Sequence, residues 1–243
     1  MPPIAPDEDH WARVAQDWIA WARTPGHDAF WAYRAGLRAF IGPGGGDTLE
    51  VGCGEGRVAR LLRELGYRVT ATDPVAAMVA AAVEAKSADH YCVARAAALP
   101  FPDGWFDLVV TYNVLMDVVD MPAAVTEIRR VLRPSGTVVI SLVHPFADRG
   151  TFAHDAADAP FVVADSYFGR QRFEGTVERE GLRMQFAGWS QPLEAYAAAL
   201  EAAGLAITSV REPQPDEGAE RPDLAQWRRM PMFLWLKARP LPR

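Results

Sequence analysis

The chain has 243 residues, half of them hydrophobic, with 31 acidic against 25 basic side chains and a formal charge of −6. That length and composition suit a single α/β domain with a sizeable core. The acidic balance argues against a nucleic-acid partner, since there is no basic excess to hold a phosphate backbone. Two cysteines, Cys53 and Cys92, form no C-x-x-C pair. Neither a disulfide framework nor a metal site is therefore expected. The segment Met1–His10 is Pro-rich and acidic, unlike a signal peptide, and no apolar run reaches membrane-spanning length. A cytoplasmic protein without membrane contact, monomeric or homodimeric, is the expectation.

In chain order, Trp11, Val14, Trp18 and Trp21 recur at helical spacing and stop at Thr24-Pro25-Gly26. Asp28 is placed to cap a second helix carrying Phe30, Tyr33, Leu37 and Phe40, and Gly42–Gly46 ends it. Thr48–Val51 reads as a strand, followed by a helix with Val58, Leu61, Leu62 and Leu65 inward. Strand Tyr67–Thr72, helix Pro74–Ala85, strand Tyr91–Ala94 and the strongly apolar strand Phe106–Thr111 follow. Helix Pro122–Leu132, a turn at Arg133–Gly136 and strand Thr137–Leu142 complete a repeated β-α-β pattern. Such alternation predicts a parallel sheet covered on both faces.

Beyond Pro145 the pattern changes. Residues 147 to about 170 are irregular, and Phe173–Trp189 reads as a hairpin around Glu180-Gly181. Helix Gln191–Ala203, strand Leu205–Val210, a loop over Arg211–Pro231 and strand Met232–Ala238 follow. The expected organisation is an N-terminal helical cap (1–44), a core (45–146), a lid insertion (147–189) and a C-terminal helix-and-strand unit (190–243).

The chemistry centres on Leu49-Glu50-Val51-Gly52-Cys53-Gly54-Glu55-Gly56-Arg57, a strand entering a glycine loop and then a helix. Glycines serve where backbone turns sharply and a ligand comes close, and the helix start offers unpaired N–H groups. A dinucleotide fingerprint, G-x-G-x-x-G, would need its third glycine at position 57, where Arg57 stands. Asp73 ends the next strand, nineteen residues after Gly54, where a carboxylate suits a ribose.

The G-x-G-x-G spacing behind Glu50 resembles motif I of class I S-adenosylmethionine-dependent methyltransferases. Leu99-Pro100-Phe101-Pro102-Asp103-Gly104-Trp105-Phe106-Asp107 and Ile128–Thr137, with its Arg133-Pro134-Ser135-Gly136, are similar to segments of the ubiquinone/menaquinone-biosynthesis-type members. The resemblance implies a Rossmann-like, doubly wound, seven-stranded, mostly parallel sheet with an antiparallel last strand. It implies S-adenosylmethionine as cofactor, S-adenosylhomocysteine as product, and methyl transfer to an oxygen or nitrogen of a small molecule. Glu50, Gly52, Cys53, Gly54, Gly56, Asp73, Pro74, Met78, Ala96, Ala97 and Asn113 would then line the cofactor, with Arg23 on its methionine carboxylate. Where family members often carry an acid that bonds adenine, this chain has Arg95, so backbone near Ala96 and Ala97 is expected to serve instead.

Asn113 and His144 fall at the carboxyl edge of the sheet, where ligands bind. His144 is a candidate general base, or else a hydrogen-bonded residue fixing the turn before Pro145. Tyr167 is a second catalytic candidate, and His154, Tyr167 and Trp189 are candidates for the substrate pocket. Two other readings stay open: an enzyme of this fold that binds the cofactor without methylating, and a non-catalytic cofactor-binding module.

Overall fold

The computed structural model describes residues 6–163, 165–218 and 221–242. Helices α1 (Pro6–Arg13), α2 (Ala15–Arg23) and α3 (Arg34–Ile41) precede β1 (Asp47–Val51), α4 (Arg57–Glu64), β2 (Arg68–Asp73), α5 (Ala76–Glu84) and β3 (His90–Val93). Then come β4 (Phe106–Tyr112), α6 (Met121–Val131), β5 (Leu132–Val143), the short β6 (Gly150–Phe152) and β7 (Phe161–Val163). The hairpin β8 (Gln171–Arg179) and β9 (Leu182–Ser190), α7 (Leu193–Ala202), β10 (Leu205–Arg211) and β11 (Phe233–Pro240) complete the order.

Seven strands make one sheet in the order β10-β11-β5-β4-β1-β2-β3. The pairings from β5 to β3 are parallel, and β11 runs antiparallel to both β5 and β10. This is the doubly wound, Rossmann-like arrangement, with helices on both faces. Side-chain alternation along β4 shows how it is held together. Leu108, Val110 and Tyr112 join an apolar cluster that includes Leu37 of α3 and Leu61 and Leu62 of α4. Phe106 and Val109 join the cluster on the other face, with Val125 and Ile128 of α6 and Leu200 of α7. A strand buried on both sides needs such an apolar run.

Several local expectations shift. The tryptophan stripe forms two helices, α1 and α2, joined at Val14. Asp28 does cap, accepting from the Phe30 N–H at 2.7 Å, but what it caps is a single 3-10 turn, Ala29–Ala32, and α3 restarts at Arg34. Arg133–Gly136 is no turn but part of β5, whose pairing with β4 shifts register between Phe106 and Leu108. The Leu99–Asp103 segment is fastened to α6 by Arg130, which donates to the Leu99 and Phe101 carbonyls, Asp103 and Glu127. Among the described residues, no helix is long and apolar enough to cross a membrane.

Leu61 is fully buried between α4 and the sheet. Leu61→Ala is expected to lower unfolding stability by about 2–5 kcal/mol, the usual range for a truncated core leucine. Urea titration should show an earlier midpoint with an unchanged slope.

Candidate active site

The carboxyl ends of β1, β2 and β4 open into a cavity of about 640 Å³, within the range of small-molecule sites. Helix α2, hairpin β8–β9 and the 221–233 segment supply its outer wall. Its floor is the glycine loop. Gly52 and Cys53 both donate to the Thr72 carbonyl at 2.8 Å, which ties the loop to the end of β2. Gly54 donates to Asp73 Oδ2 and Val75 to Oδ1, each at 2.9 Å. Gly52 has φ +73°, and a Cβ there would lie 2.4 Å from a Val114 methyl. A side chain is excluded both by backbone conformation and by space. Gly54 also has a positive φ, and Trp18 sits directly over it.

Two carboxyl groups face this floor. Glu50 is 1% exposed, and its Oε2 has no hydrogen-bond partner among the described residues. Burial pushes its pKa well above the usual carboxylate range; Glu55 and Asp73 add to the rise, and Arg57 opposes it. Burial also pushes Asp73 up to about 6, against the two N–H groups that favour its ionised form. A raised folded-state pKa means that this group favours the fold most at low pH, and the benefit fades as pH rises through about 6. A ligand bringing hydrogen-bond donors to either carboxylate offsets that cost. Cys53 lines the cavity too, but its thiol is buried and its pKa raised, which suits packing rather than reactivity.

Gly52, Cys53, Gly54, Asp73, Pro74, Met78, Ala96, Ala97 and Asn113 all line this cavity with Glu50. Gly56 does not; it adopts the left-handed conformation that starts α4 and packs on Ser87. Asn113 has φ +55°, donates its N–H to the Ser141 carbonyl and accepts from the Ser141 hydroxyl. Arg95, in place of the acid usual at that position, is also at the wall.

Other expected residues lie elsewhere. Arg23 is behind the loop: it donates to the Ala81 carbonyl and to Glu84, and its Nε is 3.5 Å from Glu55. It is not part of the cavity lining, because α2 turns this side chain toward α5. His144 follows Val143, which does line the cavity, but its own ring points away. Its Nε2 is 3.0 Å from Glu212, and its Nδ1 accepts from the Phe146 N–H. With Nδ1 accepting, the proton sits on Nε2, and burial lowers the ring's pKa. The ring stacks on Phe146, which stacks on Tyr167, whose hydroxyl accepts from the Leu193 N–H. His154 is exposed, and Gln226 binds its carbonyl. Trp189 packs under Arg170, 4.1 Å from the ring centre. None of these four lines the cavity.

Residues that the sequence reading did not assign take their places. Phe173, Val177 and Phe186 come from the hairpin, and Trp227 and Phe233 from the C-terminal segment. Arg179, at the hairpin tip, donates to the Gly26 and His27 carbonyls and to Asp223. His27 Nε2 is in turn 3.0 Å from the Arg179 carbonyl. The hairpin is thereby locked to both the N-terminal and C-terminal segments. Arg57 was legible by position, as the first residue of α4, directly after the loop.

A strand–glycine-loop–helix unit followed by a carboxylate-bearing strand, within a β3-β2-β1-β4-β5-β11-β10 sheet, matches the Rossmann-like methyltransferase fold. Comparison agrees: residues 49–140 match the methyltransferase domain family. Two curated relatives are malonyl-[acyl-carrier protein] O-methyltransferases. The one from Serratia marcescens is 37% identical over 97 residues, 40% of this chain and 38% of that protein. The one from Salmonella typhimurium is 37% identical over 94 residues, 39% of this chain and 38% of its own length. The chain thus matches less than two fifths of these relatives. An S-adenosylmethionine-dependent methyltransferase structure from Mesorhizobium loti superposes with a TM-score of 0.68 at 28% identity, covering 87% of this chain and 98% of that one. Residues 49–140 thus match a methyltransferase domain, and the fold is that of an S-adenosylmethionine-dependent methyltransferase structure.

Glu55 is buried at 1% exposure and chelated by Arg60 at 2.8 and 2.9 Å, with Arg23 more distant. Arg60→Ala is expected to cost about 2 kcal/mol, less than the 3–5 typical of a fully buried pair because Arg60 is 31% exposed. Arg23→Ala should cost under about 1 kcal/mol. Parallel denaturant titrations compare the two.

Proposed function

We propose that the chain transfers a methyl group from S-adenosylmethionine to an oxygen or nitrogen of a small molecule. One observation carries this reading: the unpartnered, buried Glu50 oxygen and the Asp73 carboxylate face one cavity across the glycine loop. Both are matched by a ligand with an ammonium group and a ribose diol. In this reading Asp73 accepts the ribose hydroxyls, and Glu50 with the Gly52–Gly54 backbone borders the amino-acid end. Pro74 and Met78 pack against adenine, whose edge meets the backbone of Ala96 and Ala97. When bound, S-adenosylmethionine supplies a methyl carbon already activated by its sulfonium, which leaves alignment and water exclusion to the protein.

In this reading Asn113, held in its left-handed turn and lining the cavity, stands between the cofactor and the acceptor. The acceptor half is walled by Trp21, Phe173, Phe186, Trp227 and Phe233, which suits a partly apolar molecule. A general base must reach the proton it removes. His144 keeps both ring nitrogens engaged outside the cavity, so its role in this reading is to fix the turn after β5.

Calorimetry should show S-adenosylhomocysteine binding and no binding of NAD. Methyl-labelled S-adenosylmethionine should pass its label to molecules under 1 kDa in a cell extract; binding without transfer would point to the non-methylating reading. Affinity for S-adenosylhomocysteine should fall as pH drops through about 6, where Asp73 takes up its proton. Asp73→Asn should weaken binding about 10- to 100-fold at pH 7.5 and flatten that profile. His144→Gln should keep turnover within about threefold while lowering thermal stability, the behaviour of a residue outside the reacting centre.

A further inference from the structure

The hairpin β8–β9 turns one face to the cavity. Phe173, Val177 and Arg179 of β8 line it, and residues two apart on a strand face the same side. Position 175 therefore faces the cavity as well. Across the hairpin Gly175 pairs with Phe186, another lining residue, and Phe173 pairs with Gly188. The two phenyl groups thus sit diagonally on this face, and Gly175 leaves a recess bounded by Phe173, Val177 and Phe186.

The fold itself does not ask for a glycine there. The hairpin has three glycines, and two are explained by structure. Gly181 has φ +79° in the turn, and a Cβ on Gly188 would lie 3.0 Å from the Phe173 ring. Gly175 has no positive φ, and a Cβ there would meet nothing within 4 Å. Glycine inside a strand weakens it, and where neither backbone nor packing demands one it marks close approach of a ligand. Phe173 and Phe186 are half-buried and Val177 is exposed, so the recess is bordered by apolar surface that a ring could cover.

The charged side chains around this wall are committed to one another. Arg179 donates to the Gly26 and His27 carbonyls and to Asp223. Arg221 donates to the Asp28 carbonyl and to Asp223, and Arg57 Nη1 lies 2.7 Å from Asp28 Oδ1. Asp120 accepts from the Ala123 N–H at the start of α6, and Asp117 is engaged as well. A charged ligand would have to break one of these pairs or stay unpaired against the rings, and either course is costly. A neutral ring needs neither.

We propose that Gly175 is a specificity-determining position: its recess receives the aromatic ring of a neutral ligand, a phenol or aryl amine rather than a carboxylate or an alkylammonium. Naming that ligand the methyl acceptor rests on the cofactor reading above; the recess does not.

The test uses the full chain as wild type, Gly175→Val and Gly175→Ala. Ligand-observed NMR measures 2-naphthol, 2-naphthoate and 2-naphthylmethylamine at about pH 7, where the first is neutral and the others are charged. Calorimetry measures S-adenosylhomocysteine, and a thermal melt follows stability. Wild type should bind 2-naphthol at least about 10-fold more tightly than either charged analogue. Gly175→Val should lose about 10-fold or more in 2-naphthol affinity, with S-adenosylhomocysteine affinity unchanged and the melting temperature equal or higher, since a β-branched residue suits a strand better than glycine. Gly175→Ala should fall between the two, and it decides the matter where the valine variant fails to fold. Unchanged 2-naphthol binding in the variants, a charged analogue that binds as well as 2-naphthol, or no wild-type binding of 2-naphthol overturns the proposal. Lower melting temperatures in both variants would make Gly175 a folding residue and also overturn it. Wild type that binds 2-naphthol but not S-adenosylhomocysteine supports the recess and overturns the cofactor reading instead.

Discussion

The Asp73 carboxylate is where sheet, loop and helix meet. One oxygen holds the Gly54 N–H and the other the Val75 N–H, so a single side chain shapes the glycine turn after β1 and the entry to α5. The Thr72 carbonyl adds two more bonds from Gly52 and Cys53. This clustering is possible only because Gly52 and Gly54 take up positive φ angles and bring no side chain into the space held by Val114 and Trp18. The arrangement also brings Asp73 near Glu50 and Glu55, in surroundings that disfavour charge. The loop thus holds a local excess of carboxylates that the fold offsets only in part. Arg60 answers Glu55, and one Glu50 oxygen has no partner among the described residues.

The same geometry explains which parts of the molecule the sequence revealed. Strands β4 and β5 were legible because strands buried on both faces carry apolar runs, Leu108–Val110 in the one and Val138–Ile140 in the other. The loop side of the cavity was legible because the chain brings it together locally. Its residues, Glu50–Gly54, Asp73–Met78 and Ala96–Ala97, fall at the ends of consecutive strands and need only local order to come together. Arg133-Pro134-Ser135-Gly136 has the composition of a turn, yet it lies in a strand: β4 pairs with Leu132 and again with Thr137, and the proline-bearing stretch between them is accommodated as the irregularity in the register.

The aromatic outer wall was hidden because it is assembled from far-apart segments by tertiary contacts alone. No short pattern tells that Arg179 reaches Gly26, His27 and Asp223. His144, at the sheet edge, and Tyr167, in the segment expected to cover the cavity, were reasonable candidates. Neighbours at a strand end face opposite ways, however: Val143 meets the cavity, and His144 turns to Glu212. Arg57 was noticed for the glycine it replaces, while its pairing with Asp28 is a tertiary contact that no local pattern announces.

The cavity wall described above has a consequence for heredity within this fold. The span shared with relatives, residues 49–140, contributes the loop, Asp73, Ala96, Ala97 and Asn113. Trp21, Phe173, Phe186, Trp227 and Phe233 all lie outside it. Two chains can therefore inherit the same floor and diverge freely in the walls above it. Kinship measured over the shared span therefore speaks for the floor alone, and the walls that Arg179 ties together must be read from their own residues.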